Sequence, residues 1–386
     1  MILRFKDRSF DLKVDAPPSK SVYHRELIIR FLLGYEDDLT PSSDDSKDII
    51  ATKSCLLSLR SMSQSGTVLK WNILDCNESG STLRFMIPVA AAYLKAKGEA
   101  CRVEFKTAGR LYNRPIDALE TCLNAHGITI THDAEKRSFV LEGELEEGEF
   151  VIDGSASSQY VSGIMMALTV LPDSTLRITG TPASVHYIEL TRSIIEKYVP
   201  FENRPRMGHF EVEGDWSGGA FLLCFKELIN GDITVGNLNE DSVQGDKAIE
   251  DYLAACGVPE LTWDCRDIPD IVPYMAVTAA FRNKKTVFNN IGRLRIKESD
   301  RVAAIGEQLE TAGIKTEETD ETLTVYGYDN TFDNDMITLK SYNDHRMVMS
   351  AMLIAAALGV DLDIDTDAPL DKSFPGLRNI IKEEFS

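Results

Sequence analysis

The chain repeats a helix–strand–strand pattern, and this repeat constrains its fold more than any other feature. Two segments, LNAHGITITHDAEKRSFVLEG and LETAGIKTEETDETLTVYG, match in the order helix, glycine cap, strand, polar turn, strand. A looser third copy is LLSLRSMSQSGTVLKWNILD. Three predicted strands also end alike, in SFVLEG (138–143), HFEVEG (209–214) and TLTVYG (322–327). Self-similarity of this kind indicates a fold assembled from copies of one small unit.

Helical stretches of two kinds alternate along the chain. Six are apolar on most faces, as buried helices are: 21–33, 80–95, 158–171, 218–230, 270–281 and 345–358. Six are more polar: 46–60, 115–126, 186–199, 245–256, 297–312 and 376–384. Six such units predict an α/β protein of two domains, with three units in each and the apolar helices packed inside the sheets. The chain lacks the G-x-G-x-x-G and G-x-x-x-x-G-K-[ST] signatures, so neither a dinucleotide-binding nor a P-loop fold is predicted.

The composition limits the classes of function. The 386 residues carry a net charge of −20 and a pI near 4.8, which argues against a broad basic face for nucleic acid and disfavours adhesion to an anionic membrane. Seven cysteines without a C-x-x-C pair are typical of reduced thiols. The histidines show no metal-ligand spacing, and the N-terminal residues have no apolar targeting core. We therefore expect a cytoplasmic protein without a metal.

Several apolar helices begin with a turn of hydroxyl and charged residues. The clearest turns are 19–25, 78–84, 155–160 and 342–346. The first turn of a helix presents unpaired backbone N–H groups and the positive end of the helix dipole, and added hydroxyl, Lys and Arg groups bind phosphates and carboxylates. Taken singly, the Ser-rich turn at 155–159 is equally typical of an ordinary helix cap. Several cationic helix starts on an acidic chain predict one pocket for a multiply anionic small molecule.

The motif Arg295-Ile296-Lys297-Glu298-Ser299-Asp300-Arg301 has the densest charge. Lys297 and Arg301 are four residues apart and share one face of a helix start. Glu298 could act as an acid or a base near a bound anion. The alternative interpretation is a solvated, charged helix cap.

A second motif, Tyr342-Asn343-Asp344-His345-Arg346, precedes the last apolar helix. His345 could relay a proton, and Arg346 could clamp a carboxylate. The alternative is that Asn343 or Asp344 only caps the helix.

Nine short motifs occur in a fixed order between residue 17 and residue 376: S-K-S-x-x-x-R, G-S-T-x-R, N-R-P, D-G-S-x-S-S-Q, Q-G-D, I-P-D, R-x-K-E-S-D-R, Y-N-D-H-R-M and K-S-F-P. In this order they resemble the motifs of the 5-enolpyruvylshikimate-3-phosphate synthase family. The resemblance implies an inside-out α/β barrel with two domains, each of three βαβαββ units. It also implies that the chain crosses between domains near residues 18 and 243. The first domain would then comprise 1–18 and 243–386, and the second 19–242.

The resemblance further implies a divided set of site residues. The shikimate 3-phosphate site would comprise Lys20, Ser21, Arg25, Ser157, Ser158, Gln159, Ser184, Tyr187, Asp270 and Lys297. The phosphoenolpyruvate site would comprise Lys20, Gly80, Arg114, Gln159, Arg301, Arg346 and Lys372. The catalytic groups would be Asp270, Glu298, Lys20 and His345. Because these residues come from both halves of the chain, we expect the domains to close on the substrates.

The reaction that the resemblance implies is enolpyruvyl transfer in the shikimate pathway to aromatic amino acids. The 5-hydroxyl of shikimate 3-phosphate attacks C2 of phosphoenolpyruvate as C3 is protonated, and the tetrahedral intermediate then loses phosphate. Asp270 would be the base, and Lys20 or Glu298 would handle the methyl proton. No metal or organic cofactor is implied, and we expect a monomer whose only partners are these substrates. Gly80 leaves room at the phosphoenolpyruvate edge, so we expect glyphosate to compete there.

Three positions depart from the family pattern. Pro18 stands where the family usually has Gly, and Arg293 where it has Asn or Glu. Between Asp246 and Asp270 the chain has only one helix and the short segment VPELTWDCR, so one of the six units is truncated.

The sequence admits three alternative functions. UDP-N-acetylglucosamine enolpyruvyl transferase of the same fold uses a cysteine-bearing loop, whereas Cys101 falls in a predicted strand and Cys122 in a helix. RNA 3′-terminal phosphate cyclase needs a polynucleotide track, which the acidic pI disfavours. A catalytically inactive anion-binding homologue is the third, and the missing strands are its main support.

Overall fold

A computed structural model describes residues 1–43, 45–62, 72–155, 157–182, 184–198, 210–229, 231–329 and 331–385. The chain divides into two compact units. Unit 1 comprises Met1–Ser19 and Glu213–Ser386, and unit 2 comprises Lys20–Val212. The first crossing therefore lies next to the predicted one, whereas the return lies at Val212–Glu213 rather than near residue 243.

The described residues form twelve α-helices, and each of the twelve predicted helices is confirmed. They are α1 (Lys20–Leu32), α2 (Lys47–Met62), α3 (Gly80–Ala96), α4 (Asp117–Asn124), α5 (Ser158–Ala167), α6 (Val185–Tyr198), α7 (Trp216–Leu228), α8 (Ile249–Ala255), α9 (Val272–Arg282), α10 (Arg301–Thr311), α11 (His345–Leu358) and α12 (Leu377–Glu384). The helix predicted from residue 297 starts only at Arg301, because Asp300 caps it by accepting a hydrogen bond from the Ala303 N–H. No helix among these is long and apolar enough to cross a membrane.

Fifteen strands occur in the described part of the chain. They are β1 (Ile2–Leu3), β2 (Phe10–Asp15), β3 (Asn72–Asp75), β4 (Cys101–Lys106), β5 (Ile128–Asp133), β6 (Ser138–Gly143), β7 (Glu149–Asp153), β8 (Thr175–Thr179), β9 (Gly231–Gly236), β10 (Glu260–Asp264), β11 (Lys285–Asn289), β12 (Thr316–Glu318), β13 (Thr322–Tyr326), β14 (Met336–Leu339) and β15 (Asp361–Ile364). The pairing of β9 with β2, in parallel register from Phe10↔Gly231 onward, explains why the segment after Glu213 belongs to unit 1.

Two four-stranded sheets, one in each unit, share a single topology. Unit 2 contains the order β3-β4-β6-β5, and unit 1 contains β10-β11-β13-β12. In both sheets the first pair is parallel and the other pairs are antiparallel. The helix before each hairpin is followed by a glycine with positive φ, Gly127 at 80° and Gly313 at 78°. The repeat predicted from the two matching segments is therefore confirmed.

Two further predictions about the repeat have a different outcome. HFEVEG is not a strand: residues 210–213 are irregular, and Gly214 forms only an isolated bridge with Pro18. The backbone here bonds instead to the segment around the first crossing, through Ser19 N–H to Glu213 O and Asp215 N–H to Pro17 O. His209 and the middle of the loose third copy, residues 63–71, lie outside the described residues; the start of that copy lies in α2 and its end forms β3.

Each unit has its own hydrophobic core. The helices predicted to be apolar on most faces are buried, most completely α3, α9 and α11. In unit 2, α3 and α5 cross closely: a side chain at Gly163 would place Cβ 2.7 Å from the Arg84 carbonyl oxygen. This close approach sets the first turns of α3 and α5 side by side, where their polar residues meet.

The segment between α8 and α9 is short, as predicted. It contains the single strand β10, whereas three strands follow α4 and three follow α10. The shortened segment is nonetheless well anchored, because β10 pairs with β11 along its whole length and the Cys265 N–H bonds to the Asn289 carbonyl. The residues that follow, up to Asp270, therefore leave a fixed sheet edge.

Candidate active site

Arg301 is the centre of a buried ionic cluster in unit 1. Arg301 is the first residue of α10, and its side chain is 1% exposed. Its guanidinium donates to three carboxylates: Asp344 (2.8 Å from Nε and 3.3 Å from Nη2), Asp270 (2.8 Å from Nη1) and Glu298 (2.7 Å from Nη2). Arg301 of the 295–301 motif is therefore buried in an ionic cluster, while Asp300 of the same motif caps α10 and is partly exposed.

Asp344 fixes the second motif against the first. Its carboxylate caps α11 by accepting a hydrogen bond from the Arg346 N–H and also accepts one from Ser299 Oγ at 2.9 Å. The two preceding residues, Tyr342 and Asn343, both have left-handed backbones, with φ of 51° and 53°. Such conformations are unfavourable for residues with a side chain and concentrate at functional sites, where surrounding structure holds them in place.

The electrostatics of Asp270 follow from its neighbours. Burial opposes its ionisation, but the charges of Lys297, Arg301 and Arg346 outweigh burial and hold the pKa of Asp270 well below its ordinary value. Lys297 Nζ lies 3.3 Å from the Asp270 carboxylate. Burial is also the main reason that the pKa of Lys297 is lowered. Asp270 is therefore ionised and directly paired with two cations.

Arg346 has a different environment from Arg301. It donates to the Tyr274 hydroxyl at 2.9 Å and to the backbone carbonyl and hydroxyl of Ser217. Within the described residues no carboxylate lies within ion-pair distance of its guanidinium, although it is 6% exposed. Its neutral partners hold the group in place and leave its charge to attract an anion.

Four more titratable residues of unit 1 lie in or near the sequence motifs: His345, Asp246, Lys372 and Arg293. His345 Nδ1 lies 3.6 Å from Asp344. Asp246 is buried, and burial, with repulsion from Asp270, raises its pKa to about 7 despite the opposing charge of Arg346. Lys372 ends a short 3₁₀ helix, Ala368–Lys372, and Arg293 lies in another, Gly292–Ile296; both are half-buried.

Arg25 is the corresponding buried cation of unit 2. It donates to Thr191 Oγ1 at 2.7 Å, Ser162 Oγ at 3.2 Å, and the carbonyl oxygens of Ser21 and Tyr187. All of these acceptors are neutral, and burial lowers the pKa of Arg25 to about 10. Among the described residues it has no carboxylate partner, so an anionic ligand would relieve the cost of burying its charge.

Lys20, at the start of α1, is paired with Asp48. Its Nζ lies 2.8 Å from Asp48 Oδ2, and both side chains are partly buried. Asp48 lies in the first turn of α2 and was not predicted from the sequence. The ion pair therefore joins the first turns of α1 and α2.

The first turns of α3 and α5 bring three predicted residues together with Arg84. Gln159 accepts a hydrogen bond from Arg84 Nη1 at 2.8 Å and donates to Ser81 Oγ at 2.9 Å. A Cβ at Gly80 would lie 2.6 Å from Arg114 Nη1, so these two predicted residues are in contact. Arg84 also bonds the Pro115 carbonyl and thereby joins α3 to the loop that carries Arg114.

The hydroxyl residues of unit 2 occupy helix starts, as predicted. Ser157 caps α5 by accepting a hydrogen bond from the Gln159 N–H, and Ser158 is the first residue of that helix. Ser184 directly precedes α6 with a left-handed backbone (φ 52°), and Tyr187 lies in the first turn. The carbonyl of Tyr187 bonds Arg25, which links the start of α6 to α1.

The sequence missed several residues of these clusters. Asp48, Ser162, Thr191, Ser217 and Tyr274 were not candidates, because each lies in or near a helix far along the chain from its partner. Asp344 was considered only as a cap, and it is both cap and ion-pair partner. The signal available for Asp344 was its position one residue before His345 and Arg346 in a dense polar motif.

Comparison with solved structures identifies the fold. An EPSP synthase from Acinetobacter baumannii superposes with a TM-score of 0.68 at 16% identity, covering 100% of this chain and 98% of that one. The enolpyruvyl transferase NikO from Streptomyces tendae gives a TM-score of 0.62 at 14% identity, covering 99% and 97%. At these identities the likeness concerns the fold, which is that of enolpyruvyl transferases.

Comparison of sequences narrows the class to one family. The family model of EPSP synthase (3-phosphoshikimate 1-carboxyvinyltransferase) matches residues 7–264 and 257–381. The 3-phosphoshikimate 1-carboxyvinyltransferase of Clostridioides difficile (strain 630) is 30% identical over 95% of this chain and 93% of its own length. That of Clostridium kluyveri is 32% identical over 94% and 92%. The chain belongs to the EPSP synthase family.

Proposed function

We propose that this protein transfers the enolpyruvyl group of phosphoenolpyruvate to the 5-hydroxyl of shikimate 3-phosphate and releases phosphate. The observation that carries the proposal is the pair of buried arginines, Arg25 and Arg346, whose hydrogen bonds all go to neutral groups. Each is held in place by neutral groups, and among the described residues neither has a carboxylate at ion-pair distance. Two multiply anionic substrates are the ligands that such groups favour.

In the first step we assign Asp270 as the base. The 5-hydroxyl oxygen bonds to C2 of phosphoenolpyruvate, its proton passes to Asp270, and C3 takes a proton from Lys20 or Glu298. Free Asp270 is a weak base because Lys297 and Arg301 stabilise its charge. Substrate anions near the same cations would compete for that stabilisation and raise the basicity of Asp270.

In the second step the tetrahedral intermediate loses phosphate. The C2–O bond to phosphate breaks, a proton passes from the C3 methyl group back to the Lys20 or Glu298 group that supplied it, and the C2–C3 double bond forms again. Arg346, with Arg301 and His345 beside it, supports the departing negative charge. Gly80, Arg114 and Lys372 are assigned to phosphoenolpyruvate, and Ser157, Ser158, Gln159, Ser184 and Tyr187 to shikimate 3-phosphate.

The alternative enolpyruvyl transfer to UDP-N-acetylglucosamine is disfavoured by the cysteines. Cys101 lies in β4, where burial raises the pKa of its thiol to about 12. Cys122 lies in α4, where burial raises the pKa to about 11. Neither thiol is exposed and acidic enough to take part in proton transfer. The inactive-homologue alternative is disfavoured by the presence of Asp270 and Glu298 in one ionic cluster.

We propose further that each unit is half of an inside-out barrel, for which the matched topology of the two four-stranded sheets is the support. We also propose that the protein is cytoplasmic, because its seven free thiols suit a reducing compartment, and that it is a monomer. Light scattering on the purified protein tests the monomer, and a main species of twice the chain mass would contradict it.

The decisive experiment is phosphate release from phosphoenolpyruvate on addition of shikimate 3-phosphate. The wild type should release phosphate only when both substrates are present, and Asp270→Ala and Lys20→Ala should lower turnover by at least about 100-fold. Binding of both ligands by the wild type without phosphate release would overturn the proposal and leave the inactive homologue as the answer.

A further inference from the structure

A chain of buried hydrogen bonds joins the first halves of three helices in unit 2, close to the Lys20–Asp48 pair. His24 Nδ1 lies 2.8 Å from Thr52 Oγ1, and Thr52 Oγ1 lies 2.8 Å from Thr82 Oγ1. Thr82 Oγ1 continues to Ser79 Oγ at 2.7 Å and to the Asp48 carbonyl at 3.3 Å. All four side chains are at most 1% exposed. We call this set the His24–Ser79 chain.

The His24–Ser79 chain lies one helical turn away from the Lys20–Asp48 ion pair. His24 follows Lys20 by four residues on α1, and Thr52 follows Asp48 by four residues on α2. Residues four apart lie one turn apart on the same helix face. The Lys20–Asp48 pair and the His24–Thr52 hydrogen bond are therefore two successive rungs between the same two helices, both 2.8 Å long.

Thr82 connects this ladder to the start of α3. Ser79 caps α3 by accepting a hydrogen bond from the Thr82 N–H, and the next residue is Gly80, which contacts Arg114. The Thr82 hydroxyl thus touches the cap of α3 and the backbone of Asp48 at once. A shift of Thr82 would move both Asp48 and the Gly80 turn relative to Lys20.

The donors and acceptors available in the His24–Ser79 chain indicate which group donates in each hydrogen bond. We assign the Thr82 hydroxyl hydrogen to the Asp48 carbonyl or to Ser79, because that carbonyl can only accept. With this assignment Thr52 donates to Thr82, and the Thr52 oxygen accepts from His24. The assignment places the hydrogen of the neutral imidazole on Nδ1 and the lone pair on Nε2, for which no described residue is a partner. Burial keeps the ring neutral by lowering the pKa of His24 to about 3.

We infer that His24, Thr52 and Thr82 are positioning residues, which hold the Lys20–Asp48 pair and the Gly80 turn in the geometry that the reaction requires. The inference rests on the proposed function for Lys20 and Gly80. A buried polar network of this kind is favourable only when every member is satisfied, so loss of one hydroxyl should disturb the others. Misplacement of a catalytic group by an ångström or less can cost about 100-fold in rate.

Removal of single hydroxyl groups tests the inference. Thr82→Val and Thr52→Val should each lower kcat/KM for both substrates by about tenfold or more, which corresponds to about 1.4 kcal/mol or more. Thr82→Ser keeps the hydroxyl and should restore kcat/KM to within about twofold of wild type. Thr286→Val is the matched control, since Thr286 is a fully buried threonine of unit 1 that accepts a hydrogen bond from Asn283 Nδ2. It should lower the unfolding midpoint and leave kcat/KM unchanged.

Wild-type kcat/KM in both Thr→Val variants would overturn the inference, as would an equal loss in Thr286→Val or failure of Thr82→Ser to restore activity. A second measurement does not depend on activity or on stable variants. Nitrogen NMR of the wild type labelled at its six histidines, with His24→Gln for assignment, should show the hydrogen of His24 on Nδ1. A hydrogen on Nε2 would contradict the direction assigned to the hydrogen bonds between His24, Thr52 and Thr82. If the wild type releases no phosphate, the proposed function fails. The NMR measurement still shows which nitrogen of His24 carries the hydrogen in that case.

Discussion

A methyl group on Gly80 would lie 2.6 Å from Nη1 of Arg114, too close for any real contact of that kind. The obstructing atoms are the far end of a flexible side chain, so the protein can accommodate a substitution by moving the guanidinium. Glycine at position 80 is therefore needed to keep the Arg114 guanidinium in its position, and the fold does not require it.

Gly80→Ala should raise KM for phosphoenolpyruvate by about tenfold, because Arg114 moves from its position, and leave the unfolding midpoint within about 1 °C. Competition by glyphosate against phosphoenolpyruvate should weaken in parallel. Steady-state kinetics with both ligands checks this. Gly306→Ala is the control: its methyl would meet only Thr316 Oγ1 at 3.5 Å, and it should leave KM unchanged. An unaltered KM in Gly80→Ala would contradict the assignment of Gly80 and Arg114.

Arg25→Gln should weaken binding of shikimate 3-phosphate by about 100-fold, because a buried cation that meets the ligand's phosphate is lost. The free energy of unfolding should change by only about 1 kcal/mol, since the lost hydrogen bonds are offset by removal of an uncompensated buried charge. Calorimetric titration and urea unfolding measure the two quantities. A large loss of stability with unchanged affinity would show that Arg25 is only structural.

Arg301→Gln, unlike Arg25→Gln, should have a large effect on the free energy of unfolding. Three carboxylates lose their shared cation, and Asp344 is 0% exposed, so we expect the free energy of unfolding to fall by about 3–5 kcal/mol at pH 7. Urea unfolding at pH 7 tests this. An unfolding free energy equal to that of the wild type would mean that the cluster contributes nothing to stability.

The pH dependence of stability should reveal the same cluster. The folded-state pKa values of Asp270 and Asp344 are depressed, because nearby cations outweigh burial. Their stabilisation is present above the unfolded pKa of about 4 and is lost as pH falls toward the folded values. Urea midpoints should therefore drop below about pH 4 in the wild type and change less in Arg301→Gln. Parallel curves for the two proteins would contradict the assignment.

Asp246→Asn should change stability at the other end of the pH range. Burial and Asp270 raise the folded-state pKa of Asp246 to about 7, above its unfolded value, so its contribution to stability declines as pH rises from about 4 through 7. The asparagine cannot ionise. The difference in unfolding free energy between variant and wild type should favour the variant more at pH 8 than at pH 5, and a difference independent of pH would refute the raised pKa.

Much of the fold was predictable from periodicity. The alternation of apolar and polar stretches located every helix, because burial on all faces or on one face leaves a direct trace in the sequence. HFEVEG failed as a strand because alternation describes which side chains could be buried, not which backbone is available for pairing. Periodicity also does not reveal the β2–β9 pairing, which joins residues far apart in the chain and lies within unit 1.

The candidate site was predictable where its residues are adjacent in sequence. Lys297, Glu298 and Arg301 lie within one turn, and the cluster they form is visible in the motif itself. The partners that decide the charge state, such as Asp48 for Lys20 and Tyr274 for Arg346, come from other helices. Sequence could therefore indicate which cations are present and not which of them have their charge compensated.

The single strand between α8 and α9 has a consequence for design. Asp270 keeps its full set of ionic partners although its supporting connection is the shortest of its kind in unit 1. The ionic partners of Asp270 are thus in place without the hairpin that follows α4 and α10. A segment designed to replace the one between α8 and α9 should preserve the register of β10 with β11, which anchors the chain that leads to Asp270.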